Sequence, residues 1–155
     1  MEIKLKPIED QDVEDLLADI TSEDRAEILA MGVSPEWGVN NSLATAIESV
    51  AIRVDGPLGC LTGVSHGPGL AEWVVPWMLM TNHGRKYPIS ILRVSRKIIR
   101  RWQGEFPYMK NYVDSRHCAA VEWLAWLGAD LTFVEHYGPF RRPFYKFEFG
   151  APSCA

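Results

Sequence analysis

Apolar and polar residues follow a helical period over the first third of the chain. Apolar side chains recur there every three or four positions, which predicts amphipathic helices that pack through one face. Thr21 or Ser22 is suited to cap the second helix and Gly32 to close it. The predicted elements are an alternating strand at 2–6 and helices over 10–20, 22–31 and 35–47.

From Ser49 onward the period changes from helical to alternating, which predicts strands. Asp55-Gly56 separates the first two strands and is typical of a hairpin turn. Pro76 lies inside the third strand and removes a backbone donor there. This strand must therefore lie at an edge of the sheet, or be bulged or splayed at that point. The three strands are predicted over 49–54, 58–65 and 71–81.

Helices and strands alternate in the second half of the chain. A loop at 82–85 leads into a long helix that Gly104 ends, and Asp114 or Ser115 is predicted to cap the last helix, which Gly128 stops. The predicted elements are helices over 88–103 and 115–127 and strands over 108–113, 131–136 and 144–149. The order β-α-α-β-β-β-α-β-α-β-β predicts an α/β (α+β) fold, with a mixed, mostly antiparallel central sheet flanked by helices.

Length and composition narrow the class of protein. With 155 residues, 47% of them hydrophobic, the chain is expected to form a single domain over 1–155. The longest apolar run, 73–80, is far shorter than the roughly 20 residues that a membrane span needs. The N-terminal residues are acidic, which is not the pattern of a secretory signal. We therefore expect a cytoplasmic protein without membrane contact.

Neither the cysteines nor the histidines predict a metal site. The three cysteines match no disulfide framework and no zinc spacing, and we expect free thiols at Cys60, Cys118 and Cys154. The four histidines share no ligand spacing either: His66, His83, His117 and His136.

Segments in the second half of the chain carry a resemblance to a known family. Residues 112–116 (Tyr-Val-Asp-Ser-Arg) and 123–129 (Trp-Leu-Ala-Trp-Leu-Gly-Ala) resemble the strand, helix and glycine that end the acyl-CoA half of GNAT acetyltransferase domains. The predicted order of elements is also the order of the GNAT superfamily. Residues 77–81 and 93–96 resemble the GNAT-like proteins of short-tailed bacteriophages, some of which are internal virion proteins.

The resemblance implies acetyl-CoA as cofactor and a phosphate-binding loop after the long strand. GNAT enzymes hold the pyrophosphate with a loop of pattern Gln/Arg-x-x-Gly-x-Gly/Ala that opens a helix. The matching loop keeps only Gly84 of this pattern, and Lys86 stands where a side chain would crowd the phosphate. The implied cofactor-binding residues are Thr81, Asn82, His83, Gly84, Arg85 and Lys86.

The resemblance also implies three candidates for proton transfer. Many GNAT enzymes use a tyrosine of the last helix as general acid, but residues 123–126 contain none. Glu72 lies where GNAT enzymes often place a base, His117 stands where the family pattern has Asn, and Tyr137 is an alternative acid. Each has an ordinary alternative, since a strand Glu can face solvent, a His can lie at a helix start, and a Tyr can fill the core or its rim.

Charge and aromatic residues are distributed unevenly. The net charge of −4 argues against a nucleic-acid partner, whereas residues 82–104 hold seven bases and no acid. Four of the bases share one helix face, Arg93, Arg96, Lys97 and Arg100. This face is a solvated surface, a site for the 3′-phosphate of coenzyme A, or a site for an acidic partner protein. Residues 137–145, rich in aromatics and Arg, suit an interface or a hairpin packed on its own sheet. Five tryptophans are expected in the core: Trp73, Trp77, Trp102, Trp123 and Trp126.

Two functions are compatible with these observations. The degenerate cofactor loop and the missing tyrosine favour a phage morphogenesis or internal virion protein that keeps the fold and binds a virion or host protein. Gly84 and the basic loop and helix favour an acetyl-CoA-dependent N-acyltransferase with a divergent site, modifying a host protein. Either protein is expected in the cytoplasm of the host cell or in the virion.

Overall fold

One seven-stranded sheet forms the centre of the molecule, and the computed structural model describes residues 1–153. The strands are β1 Ile3–Lys6, β2 Ala46–Val54, β3 Leu58–His66, β4 Val74–Met80, β5 Tyr108–Asp114, β6 Asp130–Tyr137 and β7 Arg142–Gly150. Their order across the sheet is β1-β2-β3-β4-β5-β7-β6. Neighbouring strands are antiparallel except β4 and β5, which are parallel. Cys60 and Cys118 are free thiols, and Cys154 lies outside the described residues.

Helices precede, interrupt and flank the strands. They are α1 Asp10–Asp19, α2 Ser22–Ala30, α3 Pro35–Ala44, α4 Asn82–Arg85, α5 Pro88–Glu105 and α6 Cys118–Trp126. The hydroxyl of Thr21 accepts a hydrogen bond from the N–H of Asp24 at 3.2 Å and caps α2, as one of the two predicted caps. No helix in residues 1–153 is long and apolar enough to cross a membrane.

Two apolar clusters pack on opposite faces of the sheet. On one face, α1 and α3 contribute Leu16 and Val39 to a cluster with strand residues that include Ala51. On the other face, α5 contributes Trp102 to a cluster with strand residues that include Ile52. Adjacent residues of β2 thus point to different clusters, as the period of a strand requires. The predicted fold class, a mixed and mostly antiparallel sheet flanked by helices, is confirmed.

Several predicted boundaries around the last helices are wrong. Gly104 does not end α5, because the helix continues to Glu105. Asp114 does not cap the last helix, because it pairs with Phe144 as the last residue of β5. The N-cap of α6 is His117, and its side chain makes no capping hydrogen bond.

The structure also differs from the sequence prediction in short segments and in the exposure of aromatic side chains. β2 begins at Ala46, within the predicted third helix, because pairing with β3 extends that far. The predicted loop at 82–85 forms the single turn α4. Trp126 is 49% exposed and does not fill the core, unlike Trp102, which is 1% exposed. Residues 137–145 comprise the end of β6, the connecting turn at 138–141 and the start of β7, with Phe140 of the turn exposed.

The turn after β4 is fixed by a close approach between two glycines. Thr81 donates its hydroxyl hydrogen to the carbonyl of Leu58 at 2.6 Å, and its oxygen accepts a hydrogen bond from the N–H of Gly84 at 2.9 Å. A Cβ on Gly84 would lie 2.1 Å from the carbonyl oxygen of Gly59. Glycine at position 84 therefore lets α4 pack directly on the backbone of β3.

We expect Gly84→Ala to lower the free energy of unfolding by at least about 2 kcal/mol, because the backbone of α4 or β3 has to move. Gly104→Ala is the matched control, since a Cβ at Gly104 meets no atom within 4 Å. That change in the last turn of α5 should raise the free energy of unfolding by up to about 0.5–1 kcal/mol. Urea denaturation measures both effects. Equal stability of Gly84→Ala and the parent protein would contradict the packing described above.

Candidate functional site

The strands β4 and β5 are neighbours in the sheet but pair at one position only. Val74 pairs with Met109, and the strands separate toward their C-terminal ends. The side-chain amide of Asn111 donates a hydrogen bond to the carbonyl of Pro76 at 2.9 Å and closes the inner end of this gap. In an antiparallel ladder the N–H and carbonyl of one residue point to the same side of the strand. The carbonyl of Pro76 faces the gap, so an N–H at this position would face it too. The proline therefore removes no hydrogen bond from the pairing of β4 with β3. Of the arrangements predicted for this strand, the splayed one is present.

The backbone of Met78 faces the same gap. In an antiparallel ladder, both backbone groups of a residue point to the same side, and successive residues alternate. The carbonyl of Pro76 and the N–H of Met80 both form hydrogen bonds on the β5 side of the strand. The backbone groups of Met78, midway between them, therefore point to that side as well, and those of Leu79 point toward β3. No ladder pair in residues 1–153 joins Met78 to β5. The strand β4 therefore offers an unpaired edge inside the molecule.

Helix α2 joins the separated strand ends through two carboxylates. Asp24 accepts a hydrogen bond from the N–H of Met80 at the end of β4, at 2.7 Å. Glu27 accepts one from the N–H of Asp114 at the end of β5, also at 2.7 Å. Residues three apart lie on the same helix face, which places both acids toward the sheet. The two carboxylates thus satisfy amides that have lost their neighbouring strand.

Asp24, Glu27 and His117 form an ionisable cluster at the mouth of the gap. His117 Nε2 lies 2.9 Å from the carboxylate of Asp24, and His117 Nδ1 is buried without a hydrogen-bond partner in the described part of the chain. Burial raises the pKa of Glu27 to about 7, and the charge of Asp24 adds to the rise. Burial alone would lower the pKa of His117, but the hydrogen bond to Asp24 and the charges of Asp24 and Glu27 raise it above its ordinary value. The carboxyl group of Glu27 can therefore take up or release a proton near neutral pH.

The gap opens into a cleft of about 610 Å³ between the sheet, α5 and α6. Apolar side chains predominate in its walls, with Met78 and Met80 from β4 and Trp123 from α6. No residue of α6 is fully buried, since its apolar side packs only partly against the core and also borders the cleft. The N-terminal turn of α5 borders the outer end through Pro88 and Ile89. A long apolar cleft with a few polar groups is typical of a ligand site.

The backbone of the predicted cofactor loop is engaged in internal hydrogen bonds. The N–H of His83 donates to the carboxylate of Asp19 at 3.1 Å, and the N–H of Gly84 donates to the hydroxyl of Thr81. The N–H of Arg85 donates to the carbonyl of Thr81 at 3.1 Å. These amides hold α4 in place, and none of the three is free for a phosphate.

The side chains of this loop point in different directions. Asn82 donates to Asp19 at 3.2 Å, away from the cleft. Arg85 pairs with Glu23 and also lines the outer end of the cleft. Lys86 is exposed. Of the two basic side chains in this loop, Arg85 is the one that lines the cleft.

The three residues predicted to transfer protons occupy separate places. His117 lines the cleft. Glu72 is exposed before β4, and its carboxylate accepts a hydrogen bond from the hydroxyl of Ser153 at 2.8 Å. Tyr137 stacks on Tyr112, which does line the cleft, with ring centroids 3.9 Å apart. Burial and the neighbouring Tyr112 raise the pKa of Tyr137.

The sequence analysis missed the acids of α2 and the amide that closes the gap. Asp24 and Glu27 belong to an acidic N-terminal segment, where acids on a helix normally face solvent. Their role depends on contacts with strands more than fifty residues away. Asn111 could have been singled out from the sequence, because a side-chain amide inside a predicted strand needs a hydrogen-bond partner.

The basic face of α5 is largely open to solvent. Arg93, Lys97 and Arg100 are exposed. Arg96 lies over the ring of Trp126 on α6, 4.6 Å from its centroid. The face thus extends along the outer side of α5, with one arginine reaching across to α6.

Comparisons with known proteins agree with the fold. No protein-family model matches the sequence, and no curated protein sequence matches it. Among solved structures, the chain is similar to an N-acetyltransferase from Staphylococcus aureus, with TM-score 0.66, 9% identity, and coverage of 97% of this chain and 99% of that one. It is also similar to the ribosomal-protein-S18-alanine N-acetyltransferase from Escherichia coli, with TM-score 0.61, 11% identity, and coverage of 98% and 97%.

A third similar structure is a GCN5-related N-acetyltransferase from Kribbella flavida, with TM-score 0.66, 15% identity, and coverage of 96% of this chain and 98% of that one. These likenesses span nearly the whole of each chain. The fold is therefore the GNAT fold, as the resemblance implied.

The raised pKa of Glu27 predicts a pH-dependent stability. A carboxyl group whose pKa rises on folding destabilises the folded state once it ionises. This penalty is absent below about pH 4.5, the ordinary value, and complete above about pH 7. Glu27→Gln keeps an acceptor for the N–H of Asp114 but has no charge. Between pH 4.5 and 8, we expect the variant to gain about 2–3 kcal/mol of unfolding free energy relative to the parent protein.

Urea denaturation at a series of pH values measures this difference. Parallel stability curves for the variant and the parent protein would contradict the assigned environment of Glu27.

Proposed function

We propose that this chain is an acyl-CoA-dependent N-acyltransferase that binds its cofactor in the cleft between β4 and β5. The observation that carries the proposal is the unpaired edge of β4 at Met78, which lies inside an apolar cleft. A free strand edge binds extended chains that carry amides. The pantetheine arm of coenzyme A is such a chain, with two amide groups on an aliphatic backbone. The GNAT fold supports the same location.

The phosphates would lie at the outer end of the cleft, near the start of α5. In an α-helix the N–H groups of the first turn have no internal partner, and at α5 these include Ile89 and Ser90. Aligned peptide dipoles add a partial positive charge at this end. Arg85 and Lys86 would supply side-chain charge. In this assignment Thr81, Asn82, His83 and Gly84 act on the cofactor indirectly, by holding the turn that places α5.

The ionisable cluster would handle the protons of the reaction. Bound acyl-CoA supplies a thioester carbonyl with a thiolate leaving group. Glu27, with a pKa of about 7, can accept the proton of an attacking ammonium or amine at neutral pH. His117, whose pKa is raised by its hydrogen bond to Asp24, can return a proton to the departing thiolate. Tyr137 and Glu72 lie outside the cleft lining, so we assign them no contact with the reacting atoms.

Other expectations remain predictions. A virion or host partner, the acceptor amine and a cytoplasmic location rest on the sequence alone. The virion role in particular rests on residues 77–81 and 93–96, whose resemblance is to phage proteins.

Replacement of Met78 tests the proposed cofactor site. Met78→Pro removes the backbone N–H that faces the gap, and β4 already contains a proline in the same orientation at position 76. Met78→Ala is the matched control, because it removes the side chain and keeps the N–H. Calorimetric titration with coenzyme A should show binding about five to ten times weaker for Met78→Pro than for Met78→Ala, the effect of one lost hydrogen bond.

Equal affinity of the two variants would contradict strand-like binding along β4. Absence of coenzyme A binding to the parent protein at millimolar concentration would contradict the proposed function as a whole.

A further inference from the structure

A second, open depression of about 400 Å³ lies between α2, the segment that precedes α6, and the turn from β6 to β7. Two of the six residues that line it are basic, four are apolar and none is acidic. We call this depression the arginine pocket, and its lining residues are Ala26, Leu29, Ala30, Arg116, Phe140 and Arg142. Such a lining favours a ligand that carries both a negative charge and an apolar group.

The turn at 138–141 is held in place on both of its sides. It packs on the end of α2, where a Cβ on Gly32 would lie 2.9 Å from Cγ of Pro139. Just before the turn, Tyr137 stacks on Tyr112, which lines the cleft. The turn therefore has a defined position relative to α2 and to the cleft.

The two arginines of the pocket carry more positive charge than their neighbours neutralise. Arg116 donates to the carboxylate of Asp114 from Nη2 at 2.6 Å and from Nε at 3.0 Å. Arg142 has no ion-pair partner within residues 1–153, and its Nε is buried without a hydrogen-bond partner there. Burial alone would raise the pKa of Asp114, but the hydrogen bonds from Arg116 and the charges of Arg116 and Arg142 lower it. One carboxylate thus lies near two guanidinium groups, and an anion in the pocket would neutralise the second.

The arginine pocket adjoins the ionisable cluster. Ala26 precedes Glu27 and Arg116 precedes His117, and the Cα atoms of consecutive residues lie about 3.8 Å apart. Asp114 also connects the two sites, because its carboxylate binds Arg116 while its N–H donates to Glu27. A ligand in the pocket therefore lies beside the residues that handle protons in the proposed reaction.

Apolar surface continues outside the arginine pocket. Leu29 is 49% exposed and Phe140 is 63% exposed, and Met31 at the end of α2 is 36% exposed. A small amine would leave most of this surface in contact with water, whereas a polypeptide segment can cover it. The surface therefore favours a polypeptide as the ligand.

We propose that the arginine pocket binds the acceptor, and that the acceptor is a polypeptide with an acidic side chain close to the amine that is acylated. This inference rests on the proposed function, which supplies the acyl donor. The amine nitrogen would bond to the acyl carbon as the carbon–sulfur bond breaks. One amine proton would pass to Glu27, and the thiolate would take a proton from His117.

Arg142 would bind the carboxylate of the acceptor, and Leu29 and Phe140 would contact an apolar side chain next to it. An extended residue spans about 3.3–3.6 Å, so an acidic residue within roughly three positions of the amine is within reach of the pocket.

Matched peptides test the preference for an acidic acceptor. The probes are two hexapeptides with a free N-terminal amine that differ only in carrying glutamate or glutamine at the second and third positions. Calorimetric titration in the presence of coenzyme A measures their binding, and thiol release from acetyl-CoA measures their acylation. We expect the glutamate peptide to bind at least about tenfold more tightly, the effect of one charge-assisted hydrogen bond, and to have a similarly higher kcat/KM.

Substitutions of Arg142 separate the carboxylate contact from general damage to the fold. Arg142→Gln should bring the ratio between the two peptides close to one, whereas Arg142→Lys should keep part of it. Lys4→Gln is the matched control, because it removes one positive charge from β1 at the opposite edge of the sheet and should leave the ratio unchanged. Partial unfolding would weaken both peptides alike, so a ratio that survives Arg142→Gln would overturn the assignment of Arg142.

The outcomes for the two proposals are distinct. If coenzyme A binds and the two peptides are acylated equally or not at all, the inference is overturned, while the cofactor site stands. If coenzyme A does not bind at millimolar concentration, the proposed function fails and the acceptor role fails with it. A preference for the glutamate peptide that Arg142→Gln removes and Arg142→Lys partly keeps supports the inference.

Discussion

The separation of β4 from β5 governs the arrangement of every other group at the site. A parallel strand pair normally exchanges hydrogen bonds along its length, and buried backbone groups without a partner destabilise the fold by about 1–3 kcal/mol each. Here pairing stops at Val74 and Met109. Different groups along the gap compensate for the missing strand-to-strand hydrogen bonds. Pro76 has no N–H that would need a partner, and its carbonyl accepts a hydrogen bond from the side chain of Asn111. Two carboxylates of α2 accept hydrogen bonds from the backbone N–H groups at the ends of β4 and β5.

These compensating groups also create the chemistry of the site. Asp24 binds the amide of Met80 with one oxygen and His117 with the other, so one carboxylate fixes a strand end and an imidazole together. Glu27 is half-buried where it reaches the end of β5, and the loss of solvent there is what raises its pKa toward neutrality. The structural requirement and the acid–base function therefore involve the same side chains. Met78, alone among these positions, keeps backbone groups that a ligand can use.

Much of the fold could be predicted from the sequence because its signals are local. Apolar periodicity, the cap at Thr21 and the turn at Asp55-Gly56 each act over a few residues, and all three are present in the structure. Pro76 even indicated an irregular strand. The boundaries that failed were decided by pairing between distant strands, as at Ala46 and Asp114.

The candidate site was less predictable, since it depends on long-range contacts. His117 was found through the resemblance, but its partners Asp24 and Glu27 lie more than eighty residues earlier in the chain. Gly84 matched the cofactor pattern, yet its place is fixed by Gly59 of β3. The cofactor-loop pattern located the turn after β4 correctly. The pattern alone does not distinguish a glycine that contacts phosphate from one that is required for packing.

Hydrogen exchange at the amide of Met78 tests the central claim most directly. NMR detection resolves Met78 from its neighbours Trp77 and Leu79, whose amides point toward β3, and from Met80, whose amide is bound by Asp24. In the free protein, the Met78 amide should exchange much faster than these three, and saturating coenzyme A should slow it strongly while changing the others little. A Met78 amide that is already protected, or one that coenzyme A leaves unchanged, would contradict a ligand site between β4 and β5.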